Sequence, residues 1–411
     1  MLEALGGVLV AGASLRLAGL VFAAHRGRRR ASGERAEARA ELAWRIEAER
    51  RRSADRPAWA GLRPFIVRRK VQEARGVFSF CLSPVDGAPL PPYSPGQYLT
   101  FSLHFPGKDK PTVRCYSLSD APRTDQYRIT IKQVLPPRDL PDGAVGLVSS
   151  YFAERVKEGD VLSIKAPGGH FTLFPQETTP VVLIGAGIGL TPVLSMLNSI
   201  VESKVPRETW FCYGVRNRTE HAMKEHLEKV AARARHVHLH VCYSDPAETD
   251  ARGRDYHHRE RVSVDLLRRI LPSNRFVFYL CGPPPMMEAL VKGLLEWGVP
   301  KENVRFEAFG PASVKRLGER PKSGEETGIE VRFRKSGKKA IWTGEEASLL
   351  EIADACGVVI DRGCCAGNCE SCLTGVVSGE VLEITEPGVT VSPGRCLPCI
   401  SLPAGPLVLD A

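Results

Sequence analysis

Four cysteines near the C-terminal end constrain the chain more than anything else in it. The segment DRGCCAGNCESCLTG places Cys364, Cys369 and Cys372 at the spacing C-x4-C-x2-C, and Cys399 follows Cys372 after 26 intervening residues. Three thiolates on one glycine-bearing loop can converge on a single point, and a fourth from a later strand can close the set. This is the plant-type 2Fe–2S pattern. Zinc loops more often pair their cysteines as two C-x2-4-C units, so the zinc reading fits the spacing poorly. Seven of the twelve cysteines fall in the last 56 residues. A secreted disulfide scaffold would spread its pairs over a short chain instead. Cys396, three residues before Cys399, is a rival for the fourth position, and the RCLPCISLP context favours Cys399. Cys356 and Cys365 read as packed or redox-sensitive thiols.

With 411 residues, 43% of them hydrophobic and 25% charged, the chain is long enough for several ordinary globular domains. Its formal net charge of +9 is uneven, because Arg26 to Arg56 holds 11 Arg against 6 acids. The basic pI describes that stretch, so nucleic-acid binding is not expected. Ahead of it, Ala4 to Ala24 is a 21-residue run interrupted only by Ser14 and Arg16. Its length suits a membrane span, and the HRGRRR that follows suits the positive-inside rule. The expectation is a transmembrane helix over 1–25, a charged helical spacer over 26–60, and a single pass through the cytoplasmic membrane with the remaining domains on the cytoplasmic side.

From Pro64 to Pro167 the pattern is short and alternating, as in YRITIKQV, where Tyr127, Ile129 and Ile131 face opposite Arg128, Thr130 and Lys132. Six such strands predict a small antiparallel barrel. From Pro180 to Phe309, continuous apolar strands (VVLIG, TWFCYG, HVHLHVCY, RFVFYLCG) alternate with helical segments, which predicts a doubly wound parallel sheet. The GAGIGLTP turn after VVLIG is not the usual G-x-G-x-x-G, because Gly189 comes one residue early. A polar Pro/Gly-bearing linker then precedes a compact unit that contains the cysteine loop. His236, His238 and His240 share one face of a strand, and packed or edge histidines explain them better than a metal does.

PGQYLTF, RCYSLSD (Arg114–Asp120), GLVSSYF (Gly146–Phe152), GAGIGLTP, CGPPPMM and EAFG, in that order along the chain, resemble the ferredoxin–NADP reductase superfamily. More closely they resemble NAD(P)H-dependent flavin reductases with a C-terminal ferredoxin domain, of the phthalate dioxygenase reductase type. The flavin and nucleotide modules look most like the reductase part of flavohaemoglobins. The resemblance implies a multidomain fold: an antiparallel β-barrel flavin domain (61–175), an α/β doubly wound NAD(P)-binding domain (176–311), a linker (312–327) and a β-grasp 2Fe–2S ferredoxin domain (328–411), preceded by the N-terminal transmembrane helix.

It also implies site residues. Arg114 would meet the flavin phosphate, Tyr116 would pack on the isoalloxazine, and Ser117 would lie near its N5. Gln97 and Tyr98 join them at the flavin. Gly146 opens a helix whose Val148 and Ser149 amides would take phosphate. Gly185, Gly187, Gly189 and Thr191 form the nicotinamide-nucleotide turn. Cys281, Gly282 and Pro283 form the second nucleotide element, with Cys281 beside the nicotinamide C4. Glu307 and Phe309 lie near the flavin ring. Ser117, Thr191, Cys281 and Glu307 are the catalytic candidates, and Cys364, Cys369, Cys372 and Cys399 the iron ligands. Cys365 and Glu370 depart from the family, which often has Arg and Gly there.

The implied cofactors are FAD, with FMN as the alternative, and a 2Fe–2S cluster, with NADH or NADPH as substrate. Arg216 and Arg218 lie where a 2′-phosphate could be met, while the nearest resemblances favour NADH. The expected function is electron transfer from NAD(P)H through FAD and the cluster to a one-electron acceptor such as an oxygenase, haem protein or ferredoxin. The expected partners are that electron-acceptor protein, or a quinone, and the membrane. The alternatives are a membrane-associated NAD(P)H oxidase or quinone reductase, and an iron–sulfur redox sensor.

Overall fold

The computed structural model describes residues 59 and 61–411, apart from 108–110, 137–142, 144, 174–177, 204, 308, 310–327, 345, 347, 364, 366, 368–369, 385–388 and 390.

The first sheet contains β1 (Arg63–Ala74), β2 (Val77–Pro84), β3 (Tyr98–Leu103), β4 (Thr112–Ser117), β5 (Tyr127–Lys132) and β6 (Val161–Gly168), with α1 (Leu147–Glu154) between β5 and β6. The order is β4-β3-β6-β1-β2-β5, antiparallel throughout. A bridge from Leu118 to Ile129 joins the two outer strands, so the sheet closes into a barrel and leaves no long edge. Tyr127, Ile129 and Ile131 turn inward as the alternation requires. Thr130 is also buried, because Ser79 and Ser119 hold its hydroxyl at 2.9 and 2.8 Å. Phe152 of α1 packs edge-on between Phe80 and Phe101, with centroids 5.3 and 5.4 Å away. Burying such a ring stabilises the fold by about 1.5–3 kcal/mol.

The second sheet is wholly parallel. Its elements are β7 (Val181–Ala186), α2 (Leu190–Glu202), β8 (Thr209–Val215), α3 (Lys224–Arg233), β9 (Val237–Tyr243), α4 (Val264–Ile270), β10 (Val277–Cys281), α5 (Pro284–Glu296) and β11 (Val304–Glu307). The continuous apolar run of β7 now has its reason. Val181 and Leu183 face a core shared with α2 and α3, while Val182 and Ile184 face another shared with α4 and α5. The strand order is β11-β10-β7-β8-β9. The chain leaves β7 in one direction and returns on its other side, so the switch point lies between β7 and β10. In open α/β sheets, ligands bind at the carboxyl ends of the strands at such a point.

The third part contains β12 (Ile329–Phe333), β13 (Lys338–Trp342), α6 (Leu349–Ala355), β14 (Thr374–Ser378), β15 (Val381–Glu383), β16 (Arg395–Cys396), β17 (Ser401–Pro403) and β18 (Leu407–Leu409). Its mixed sheet runs β13-β12-β18-β14-β16, and β15 pairs with β17. Ser348 caps α6 by accepting from the Glu351 amide at 3.3 Å. Leu349 and Ile352 of that helix pack into the core with Val331, Phe333 and Leu409.

Two expectations are corrected here. Among the described residues no helix is long and apolar enough to cross a membrane. Residues 1–25 and the whole of the 26–60 spacer except residue 59 lie outside the described residues. The expected fold class is therefore amended to a multidomain flavin, nucleotide and 2Fe–2S organisation, without the transmembrane helix as part of it. The single-pass placement in the cytoplasmic membrane, and the membrane as a partner, rested on that helix and are withdrawn with it.

Candidate active site

The sheet topology delivers one residue from each of several elements to the mouth of the switch point. β10 and β11 run parallel in a register that sets Cys281 beside Glu307. Gly189, in the turn after β7, lies against the Cys281 carbonyl so closely that any Cβ would collide with it. Thr191 follows at the start of α2, buried, with its hydroxyl donating to the Ile188 carbonyl at 3.1 Å. From the barrel, Ser117 Oγ donates to Glu307 Oε2 at 3.4 Å across 190 residues of sequence. Ser117, Thr191, Cys281 and Glu307 thus come from four strands or turns to one buried locus.

The electrostatics of that locus favour neutral groups. Burial pushes the Glu307 carboxyl up to about 8, and the Ser117 hydrogen bond offsets only part of this. At neutral pH Glu307 is therefore largely protonated and can donate a hydrogen bond. Burial, with Glu307 alongside, also pushes the Cys281 thiol well above its ordinary range. A thiol held neutral is a packing and alignment group here, and thiolate chemistry is disfavoured.

The flavin candidates line β3, β4 and α1. Tyr116 meets Phe101 and Phe152 edge-on at 5.7 and 5.3 Å, which fixes the plane of its ring. Gln97 is buried and spends its side-chain oxygen on the Ser94 amide at 2.9 Å. Tyr98 is buried opposite Ser117 in the β3–β4 ladder. Gly146 ties its amide to the Val134 carbonyl at 2.9 Å, and the first intrahelical bond of α1 runs from the Ser150 amide to Gly146. The Val148 and Ser149 amides thus stand in the first turn, where helices leave donors for an anion. Pro283 opens α5 with Gly282 just before it. Gly185 ends β7 and Gly187 begins the turn. Phe309 is 39% exposed.

At the cluster loop, Cys372 and Cys399 are buried with their sulfurs 3.4 Å apart. That is too far for a disulfide. Gly367 donates its amide to Cys399 Sγ at 3.3 Å, and a Cβ on Gly367 would meet Ile400 at 2.6 Å. Close approach of backbone N–H groups to sulfur is what an iron–sulfur loop needs, so the residues present fit the group. Cys365 and Glu370 both adopt left-handed φ, of 52° and 57°. Cys364 and Cys369 lie outside the described residues. Cys356 donates to the Ile352 carbonyl at 3.0 Å on α6. Among the described residues no set of three His, Cys, Asp or Glu is arranged to hold a lone metal ion. His238 and His240 instead stack on Trp210 at 4.3 and 5.5 Å.

One residue escaped the sequence reading. Asp120, at the end of RCYSLSD, binds the barrel to the nucleotide half. Its carbonyl accepts from Tyr93 Oη at 2.5 Å and from Ser195 Oγ at 2.6 Å, and its carboxylate takes Asn198 Nδ2 at 2.8 Å. Its only signal in sequence was an Asp closing a strand motif, which reads as a turn.

A barrel with an anion-ready helix end, a parallel sheet with its switch point beside that barrel, and a thiol loop define a flavin- and nicotinamide-dependent oxidoreductase with its own iron–sulfur domain. Family models bear this out in the same order: an oxidoreductase FAD-binding domain over 67–173, an oxidoreductase NAD-binding domain over 183–292, and a 2Fe-2S iron-sulfur cluster binding domain over 333–404. The chain is 34% identical to the flavohem-like FAD/NAD binding domain of a Vibrio cholerae nitric oxide dioxygenase, covering 61% of this chain and 100% of that one with a TM-score of 0.54. It is 25% identical to phthalate dioxygenase reductase, covering 85% and 98% with a TM-score of 0.52. A flavohemoprotein of Halalkalibacterium halodurans is 40% identical over 256 residues, and the chain spans 62% of its length. The chain belongs to the ferredoxin–NADP reductase superfamily and is an NAD(P)H-dependent oxidoreductase.

Gly189→Val tests the site directly. The added side chain has nowhere to go but into the Cys281 carbonyl. Overpacking of this kind costs about 1–3 kcal/mol, and NAD(P)H-driven flavin reduction should slow at least tenfold in stopped-flow absorbance. An unchanged rate would mean that the turn does not set the nucleotide's position.

Proposed function

We propose that this chain is the reductase component of an oxygenase-type system, passing electrons from NADH to a separate acceptor protein one at a time. A bound flavin would supply hydride acceptance and a 2Fe–2S cluster one-electron transfer. The chain's own residues do the rest. Thr191 and the turn before it seat the nicotinamide, Cys281 keeps its reactive edge in line, and Ser117 with protonated Glu307 borders the flavin. Arg114 and the α1 amides take the phosphates. Cys364, Cys369, Cys372 and Cys399 hold the iron. The proposed domains are 61–175, 176–311 and 328–411, joined by a linker over 312–327.

The observation that carries this reading is the position of β4. At its end, Ser117 reaches Glu307 of the nucleotide half. Three residues earlier, Arg114 donates to the carbonyl of Gly363, next to the first cysteine of the cluster loop, at 3.1 Å. Strand geometry puts the Cα atoms of the two residues about 10 Å apart. Electron entry and exit therefore share one short strand, as a relay requires and a module that only senses redox state does not.

For the nucleotide, Glu220 engages Arg216 through Nε at 2.6 Å and also takes Lys132 at 3.1 Å. A carboxylate already holds Arg216, one of the two cations a 2′-phosphate could meet, which supports NADH. Steady-state reduction of cytochrome c decides both points: NADH should be used with kcat/KM at least tenfold above NADPH. If no one-electron acceptor turns over, the sensor reading replaces this one.

A further inference from the structure

The side chain of Arg114 is divided between two jobs. Its Nη1 donates to the Val113 carbonyl at 2.7 Å and to the Gly363 carbonyl at 3.1 Å, the latter across 249 residues of sequence. Nη1 carries two N–H groups, so both are spent. Nε and Nη2 carry the other three, and among the described residues they make no hydrogen bond. That free edge is the one that pairs side-on with a phosphate. The bond to Val113 holds the guanidinium close to its own strand, so the free edge and the Gly363 bond are fixed relative to each other.

The other end of the contact is equally well held. Arg362, the neighbour of Gly363, pairs with Asp354 of α6, one bond being 2.9 Å. The short run before Cys364 is thus pinned by α6 on one side and by β4 on the other. A displacement of Arg114 moves the approach to the cluster loop directly.

We infer that Arg114 is a positioning residue shared by two cofactor sites, one nitrogen fastening the cluster loop while the opposite edge takes the flavin phosphate, so that flavin binding and order in the cluster loop are coupled. The inference rests on the function proposed above and adds a link between its two cofactors. By linkage the coupling is reciprocal: ordering the loop must strengthen flavin binding by the same factor as flavin binding favours the ordered loop. A lysine at this position keeps the charge but lacks the planar fork that serves both sides at once.

The test is hydrogen–deuterium exchange of peptides covering residues 360–373 in the full chain with its cluster, first stripped of FAD and then resupplied to saturation as judged by flavin fluorescence. FAD should slow exchange in these peptides in the unaltered protein, and should leave it unchanged in Arg114→Lys at saturating FAD. In the reverse direction, Cys372→Ser, which loosens the loop, should weaken FAD affinity about fivefold or more. If no FAD concentration saturates Arg114→Lys, the Cys372→Ser arm alone decides. Slowing that persists in Arg114→Lys, or an FAD affinity untouched by Cys372→Ser, overturns the coupling. Failure of the unaltered chain to bind FAD would overturn the functional reading beneath it, a result separate from either of these.

Discussion

Cys399→Ser is expected to abolish the visible absorbance of the iron–sulfur cluster and to reduce NADH-driven cytochrome c reduction to background, while NADH still bleaches the flavin. The sulfur of Cys399 lies 3.4 Å from that of Cys372 and accepts the Gly367 amide at 3.3 Å. A serine oxygen is harder and binds a proton far more tightly, so it replaces a soft thiolate ligand poorly. Cys396→Ser is the control. Burial first, and then the neighbouring Cys372, pushes the Cys396 thiol up to about 12. It sits on β16 opposite Thr374, in a packing position. Cys396→Ser should keep its cluster. If the two variants trade places, the fourth ligand has been misassigned. If flavin reduction also disappears in Cys399→Ser, the modules are not separable.

The second large effect concerns Glu307. Replacing it by alanine should slow flavin reduction by NADH about 100-fold, the lower range for losing a positioned acid or donor. A stability measurement on the flavin-free protein gives an independent check with a definite sign. The folded protein raises this carboxyl from 4.5 to about 8. Below pH 4.5 folded and unfolded chains both carry the proton, and Glu307 contributes no pH dependence. Between 4.5 and about 8 the unfolded chain has released the proton and the folded chain has not, so stability falls as pH rises. Above about 8 the difference levels off. Glutamine cannot titrate, so the stability of Glu307→Gln relative to the unaltered protein should climb through that window, by up to about 1.4 kcal/mol per pH unit. Parallel denaturation curves at pH 5 and pH 8 would show that Glu307 is not held neutral.

Much of this was legible in the chain because the signals were local. The alternation around Tyr127 and Ile129 marked a half-buried strand, and the run Val181–Ile184 marked a strand buried on both faces. The cysteine spacing needed only one loop. What stayed hidden depended on residues far apart. Nothing near Arg114 announces a carbonyl 249 residues later, and Ser117 gives no hint of Glu307, because both contacts exist only once the three sheets are assembled. Thr130 read as solvent-facing because a hydroxyl looks polar in isolation, and its two buried serine partners are invisible to periodicity. The apolar run at Ala4 to Ala24, on which the membrane expectation rested, lies outside the described residues.

Asp120 has a consequence for how the molecule can move. Its main-chain oxygen and its carboxylate each cross the seam between barrel and nucleotide sheet, through Ser195 and Asn198. Asn198 passes the grip on to His226 at 2.7 Å. Two halves stapled so near their active face are poor candidates for a hinge. Any opening between barrel and nucleotide sheet would first have to break these bonds, which makes that seam the costly place for this body to give way.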